Sequence, residues 1–170
     1  MAVKTILERA DLGFVSPARF TVAVFGAPGG WNNSLIENRV VRASLPGRSF
    51  STHDYLLGSS PVSKVPYRAT YTGSVSVSFR LDPEMGIRKM LEAWHEEIYN
   101  NQSGEFGFYD NYTAGMSIGI YDSQLQSKIY QCNLFRVYPV AINAVELAAD
   151  SQNAYAVQTA EFAFHTWQGA

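Results

Sequence analysis

The sequence predicts a mainly β protein, an antiparallel sandwich or barrel with one α-helix packed on it. Two patterns laid end to end between Tyr71 and Trp94 carry that prediction, and strand-like sequence lies on either side of them. From Tyr71 to Leu81 the odd positions are apolar or glycine (Tyr71, Gly73, Val75, Val77, Phe79, Leu81). The even positions are polar (Thr72, Ser74, Ser76, Ser78, Arg80). A period of two makes this a strand with one buried face and one small, hydroxyl-rich face. At Asp82-Pro83-Glu84 the period changes. Asp82 suits a helix N-cap, Pro83 the first helical position and Glu84 the positive end of the helix dipole. Ile87, Met90, Leu91, Trp94 and Ile98 then fall on one helical stripe, with Arg88, Lys89, Glu92, Glu96 and Glu97 on the remaining surface. The run from Asn100 to Gly104 stops the helix.

The other elements follow in order. Residues 1–18 read as an N-terminal arm with a turn at Ser16-Pro17. Phe20–Phe25 is a strand, ended by Gly26-Ala27-Pro28-Gly29-Gly30. Ile36–Leu45 resumes as a strand and Pro46-Gly47 closes it. Residues 46–66 form the longest irregular stretch, with three prolines and two glycines. That stretch nevertheless holds Phe50, Tyr55, Leu56 and Leu57, which argue against disorder and need burial, either in their own domain or by a partner. After the helix, Glu105–Tyr109 reads as a short strand and 110–114 as a turn. Met116–Ile120 alternates as a strand, and 127–141 is a long one that Pro139 marks with an edge, bulge or bend. Asn143–Leu147 and Ala154–Trp167 supply the last pair across a 150–153 turn, with Phe162 and Phe164 on one face and Glu161, His165 and Trp167 on the other. The total is roughly seven or eight strands and one helix in a single domain.

Composition narrows the function. Of 170 residues, 46% are hydrophobic and 14% aromatic but only 16% charged, below the usual quarter, which suits a chain that hides surface by assembling. A formal net charge of −2 opposes general affinity for nucleic acid or anionic membrane. No apolar run has signal-peptide or membrane-spanning character, so a cytoplasmic product is expected. The single cysteine, Cys132, lies in a strand-like run and reads as a buried, inert thiol. The phosphate-binding, dinucleotide, zinc-protease and dithiol motifs are all missing. The histidines fall singly in the 46–66 stretch (His53), the helix (His95) and the last strand (His165), and Glu96-Glu97 point about 100° apart on a helix. The residues therefore predict no catalytic centre, no metal site and no cofactor.

The order of motifs from the helix onward resembles the tail tube proteins of contractile-tailed bacteriophages. The resemblance rests on Ala93-Trp94, Phe108-Tyr109-Asp110 with Tyr112, and the long strand Tyr130–Tyr138 running into Pro139-Val140. Ala144–Leu147, Asp150–Tyr155 and the closing Phe162–Trp167 complete it. It implies a structural virion protein whose subunits form hexameric rings, their strands closing into a shared inner barrel, with rings stacked into a hollow tube that ejects DNA. The partners implied are further copies of the chain, the tail sheath protein, a baseplate or tube initiator, and the tape measure protein and DNA in the lumen without sequence-specific binding. Assembly is implied in the host bacterial cytoplasm. On this reading Arg48, Phe50, His53, Tyr55, Leu56 and Leu57 form an inter-ring loop. Thr72, Ser74, Ser76 and Ser78 face the lumen, where short hydroxyls give no grip on phosphates. Arg88, Lys89, Glu92 and Glu96 form an outer or inter-subunit helix face. The alternatives are the tube of a related contractile secretion or injection machine, a baseplate-proximal initiator, and a small β-barrel binding domain or enzyme.

Overall fold

A strand of 15 residues, Lys128–Ile142, organises the sheet. The computed structural model describes residues 18–56, 58, 61–71, 73–122, 127–145 and 155–170. Its elements are β1 (Phe20–Phe25), α1 (Asn33–Ile36), β2 (Val40–Ala43), β3 (Arg48–Tyr55), β4 (Ser63–Tyr71), β5 (Ser74–Arg80), α2 (Gly86–Ile98), β6 (Tyr99–Asn100), β7 (Glu105–Phe106), α3 (Tyr109–Tyr112), β8 (Ala114–Tyr121), β9 (Lys128–Ile142), β10 (Val157–Ala163) and β11 (Thr166–Gly169). The main sheet runs β1-β8-β9-β10-β5-β2, with β11 also on β9, and every pair is antiparallel. The mainly β, helix-on-sheet class predicted from the sequence is the class observed.

Strand β9 serves two parts of the sheet because it changes partner midway. Residues 132–135 pair with β11 and residues 138–142 with β10. Between them Phe135 and Arg136 oppose Gly115 alone, and Arg136 takes φ 54°. This bulge resets the alternation, so that Cys132 and Leu134 before it and Val137 and Pro139 after it all turn inward. A second register shift leaves Val140 unpaired beside Pro139, as the proline indicates.

The core is the face of the sheet covered by α2. Val75, Val77 and Phe79 of β5 meet Ile87, Leu91 and Trp94 of the helix, joined by Met116, Ile118, Leu134 and Phe162. Trp94 is the hub: fully buried, it meets Trp31 edge-on at 5.2 Å and Phe162 at 6.0 Å. Its Nε1 donates to the Tyr112 carbonyl at 2.7 Å. Gly29 lies against it, where a Cβ would come within 3.2 Å of the Trp94 backbone nitrogen. Cys132 is buried, and burial pushes its thiol pKa up although a bond to Tyr130 opposes this.

Several expectations shift. The helix begins at Gly86 rather than Pro83, because residues 82–85 form a turn with Met85 left-handed at φ 55°. Asp82 still caps it, accepting from the Gly86 and Ile87 N–H groups at 2.9 and 3.3 Å. Residues 33–36 are one helical turn capped by Asn32, so the expected 36–45 strand shortens to β2. The expected 105–109 strand stops at Phe106, and Tyr109–Tyr112 is helical. The last strand breaks after Ala163, and the bend returns Trp167 to the core side on which Phe164 also packs. β9 ends at Ile142, so no strand follows at 143–145. Residues 146–147, the 150–153 turn and arm residues 1–17 lie outside the described residues.

Candidate assembly surface

The 46–66 stretch, expected to be irregular, is mostly an antiparallel hairpin. β3 pairs with β4 from Arg48↔Tyr71 to Tyr55↔Ser63. Its punctuation is placed to permit this: Pro46 and Pro61 precede the strands, Gly58 takes φ 59° between them, and Pro66 adjoins a bulge. At the tip His53 lies opposite Val65, and with Tyr55 and Tyr67 these line an open apolar cleft of about 600 Å³. Thr52, Asp54, Lys64 and Pro66 alternate to the other side. The hairpin's outward side chains are bare to an unusual degree: Phe50 is 58% exposed, Tyr55 53%, Leu56 64% and Tyr67 70%. Its base is anchored where Arg48 lies over the rings of Phe50 and Trp167 at 5.7 and 5.6 Å, and Trp167 donates to the Gly47 carbonyl.

Of the expected loop residues, the hairpin thus carries Arg48, Phe50, His53 and Tyr55, with Leu56 just beyond β3; Leu57 lies outside the described residues. Val62, Val65 and Tyr67 are equally exposed and were missed. They fall in a stretch whose prolines and glycines mask the strand alternation.

On the hydroxyl-rich face Ser74 and Ser76 are exposed. Ser78 is not: it is 8% exposed and shares a 2.9 Å hydrogen bond with Thr159 across β10. Thr72 lies outside the described residues. Arg80, at the end of this face, stacks over Tyr155 at 4.1 Å. On α2, Lys89, Glu92 and Glu96 are exposed, but Arg88 is drawn inward. Its guanidinium binds Glu92 and donates to Gln158 Oε1 at 2.7 Å and the Asn143 carbonyl at 3.2 Å. Gln158, fully buried, in turn donates to the Asn143 and Thr159 carbonyls. Arg88 therefore ties helix to sheet rather than offering a free outer charge.

The titratable groups have structural roles. Desolvation of Asp82 favours its neutral form, yet the two capping N–H groups outweigh it and hold the carboxyl below the usual range. Burial pushes His95 down, opposed by the Pro139 carbonyl and aided by Arg88. No three His, Cys, Asp or Glu side chains converge as a metal site among the described residues, and no helix there is long and apolar enough to cross a membrane.

A closed core thus carries an apolar, solvent-exposed ribbon, a surface of the kind that marks interaction sites. Residues 12–169 match the phage tail tube protein family, and the chain belongs to it. Members of that family are structural tube proteins, not enzymes, and this one is a structural tail component. Its fold is shared with solved contractile injection systems. A chain of the PVC sheath–tube complex in its extended state matches at TM-score 0.68 and 16% identity, covering 96% of each chain. The tube-terminating cap of the anti-feeding prophage matches at 0.67 and 16%, covering 92% of this chain and 91% of that one. A chain of the same particle's baseplate matches at 0.63 and 15%, covering 92% and 95%. No protein of curated function matches the sequence.

Proposed function

We propose that this chain is the repeating subunit of a hollow tail tube, in which six copies close a ring and rings stack through the β3–β4 hairpin. The observation that carries the reading is the hairpin itself: large apolar side chains held out on a hydrogen-bonded ribbon leave an exposed surface that a monomer has no use for. In the stack, edge strands left open in one subunit pair with those of its neighbours. Ser74 and Ser76 give part of a lumen wall of short hydroxyls, and a net charge of −2 keeps DNA from adhering as it is ejected. Lys89, Glu92 and Glu96 sit on the outside or between subunits. The partners are other copies, the sheath around the tube, a baseplate initiator at its start, and the tape measure protein and DNA within. Assembly takes place in the host cytoplasm.

Negative-stain electron microscopy of the purified protein, with sedimentation alongside, tests this. Six-fold rings or hollow tubes are expected. A clean monomer at high concentration, unmoved by added baseplate components, overturns it. A second reading has its own support: one of the fold neighbours is the sheath–tube complex of an extracellular contractile injection system. Capsid, portal and terminase genes beside this one favour the phage tail; effector and secretion genes favour an injection machine.

A further inference from the structure

Charge is segregated along this chain in a way its small net value hides. The hairpin from Arg48 to Tyr71 carries three cations against Asp54 alone. From Asp82 to Asp110 the chain carries seven carboxylates against Arg88 and Lys89. Three of those seven are committed, Asp82 as the α2 cap, Glu92 in an ion pair with Arg88 and Asp110 in one with Arg136. Glu96, Glu97 and Glu105 instead line one depression of about 210 Å³ at the C-terminal end of α2 and make no ion pair among the described residues. Lys64 and Arg68 on the hairpin are likewise exposed and unpaired there.

The end of α2 is another exposed aromatic surface, as are Phe25 and Phe135 on the sheet. Phe106 is 78% and Phe108 82% exposed, and Tyr99 stacks on Phe106 at 4.9 Å. These rings are presented rigidly. Gly107 donates to the Ile98 carbonyl at 2.9 Å, and a Cβ there would lie 2.3 Å from the Glu97 carbonyl oxygen.

We propose that the basic, apolar hairpin of one subunit docks on the acidic, aromatic end of α2 of a second copy, through Tyr55, Val65 and Tyr67 against Phe106 and Phe108, with Lys64 and Arg68 reaching Glu97 and Glu105. The inference rests on the hairpin being an assembly surface and says what it meets. Hairpin against hairpin sets like charges together, as does helix end against helix end, and like-charge juxtaposition is strongly disfavoured at an interface. Of these pairings, the unlike one joins opposite signs and covers the aromatic side chains of the hairpin and of the α2 end together. A contact between two different patches of one chain is heterologous, so it repeats and builds rings or filaments rather than stopping at a dimer. Lys64 lies opposite Asp54 and Arg68 opposite Ser51 on a ribbon only two strands wide, so their long side chains carry the charges past its edge while Tyr55, Val65 and Tyr67 are covered.

The test is charge reversal with rescue, read as the critical concentration for assembly in sedimentation. Lys64→Glu with Arg68→Glu, and separately Glu97→Lys with Glu105→Lys, are each expected to raise it by about tenfold or more. A chain carrying all four changes is expected to return close to the original value, which a loss of folding does not permit. As a second readout, a Tyr67→Cys chain is mixed with a Phe106→Cys chain under oxidation. A disulfide-linked heterodimer is expected, and the native Cys132 is too buried to interfere. Failure of the four-fold variant to recover, or assembly without heterodimer, overturns the docking partner while a Tyr55→Asp variant that cannot assemble leaves the hairpin reading standing. Normal assembly of Tyr55→Asp overturns both.

Discussion

Tyr67→Ala separates assembly from folding. The side chain is 70% exposed in the isolated subunit. Aromatic side chains bury about 150–250 Å² when covered, so roughly 140 Å² of Tyr67 is left for a neighbour to take. At ~25 cal/mol/Å² that is roughly 3–4 kcal/mol before the costs of association. Ordering and incomplete coverage reduce this, and a tyrosine at the centre of an interface costs about 2 kcal/mol when truncated. The expected rise in critical concentration is then about 30-fold, at about 1.4 kcal/mol per factor of ten. Thermal unfolding of the dilute subunit is expected to stay within about 0.5 kcal/mol of the parent, as for an exposed position away from packing. Sedimentation across a concentration series gives the first quantity and circular dichroism the second. If the critical concentration is unchanged, or the unfolding midpoint falls in parallel with it, the assignment of this face to assembly is wrong.

Four further variants probe the body of the subunit. Asp82 and His95 both weaken the fold in acid. The Asp82 pKa is depressed below its unfolded 3.8, so its contribution is complete above that value and lost as pH falls below it; Asp82→Asn flattens that limb. The His95 pKa is depressed below 6.5, so the folded state resists protonation and stability falls as pH drops below 6.5; His95→Gln flattens that limb, read by urea unfolding at stepped pH. Gly107→Ala drives a Cβ into the Glu97 carbonyl oxygen at 2.3 Å, costing about 1–3 kcal/mol as overpacking does. Its midpoint falls by roughly 2–4 °C per kcal/mol in calorimetry. Gln158→Leu leaves the Arg88 guanidinium without its 2.7 Å acceptor and is expected to cost about 1–3 kcal/mol in denaturant unfolding; an unchanged midpoint refutes the tie between α2 and the sheet.

What could be read in the sequence was what a buried face imposes. Val75, Val77 and Phe79 alternate because one side of β5 lies on the helix, and Ile87, Leu91 and Trp94 repeat because one side of the helix lies on β5. The hairpin escaped because neither of its faces is buried in the subunit. Its alternation therefore comes with no consistent change of polarity, and Pro66 and Gly58 read as breakers although a two-stranded ribbon tolerates one at a bulge and the other at a turn. Ser78 was assigned to solvent by its parity alone. Its partner, Thr159, lies 81 residues away, and no local pattern announces a cross-strand hydroxyl pair. Arg88 reads as a surface charge by helical spacing, but the acceptor that draws it in, Gln158, is 70 residues distant. The bend at 164–165 and the bulge at Arg136 likewise follow from which strands β9 must serve, a property of topology.

The same contrast governs the energetics. The body has a closed core: the side chains of β5, α2 and Phe162 meet one another, and its buried Gln158 finds a partner for each end. The hairpin has only its own ladder and an anchored base, and a two-stranded ribbon with no packed face is marginal in water. Its backbone bonds are consequently among the easiest long-range set in the chain to open. A neighbour that covers one face supplies the burial the ribbon lacks, so docking and ordering are linked, each favouring the other by the same free energy. The hairpin is paired along its length in the single subunit, and on the proposed docking a neighbour would hold that pairing closed. On that proposal, growth is expected to be fastest at a tube end that already presents an ordered acceptor, with a lag before new tubes start.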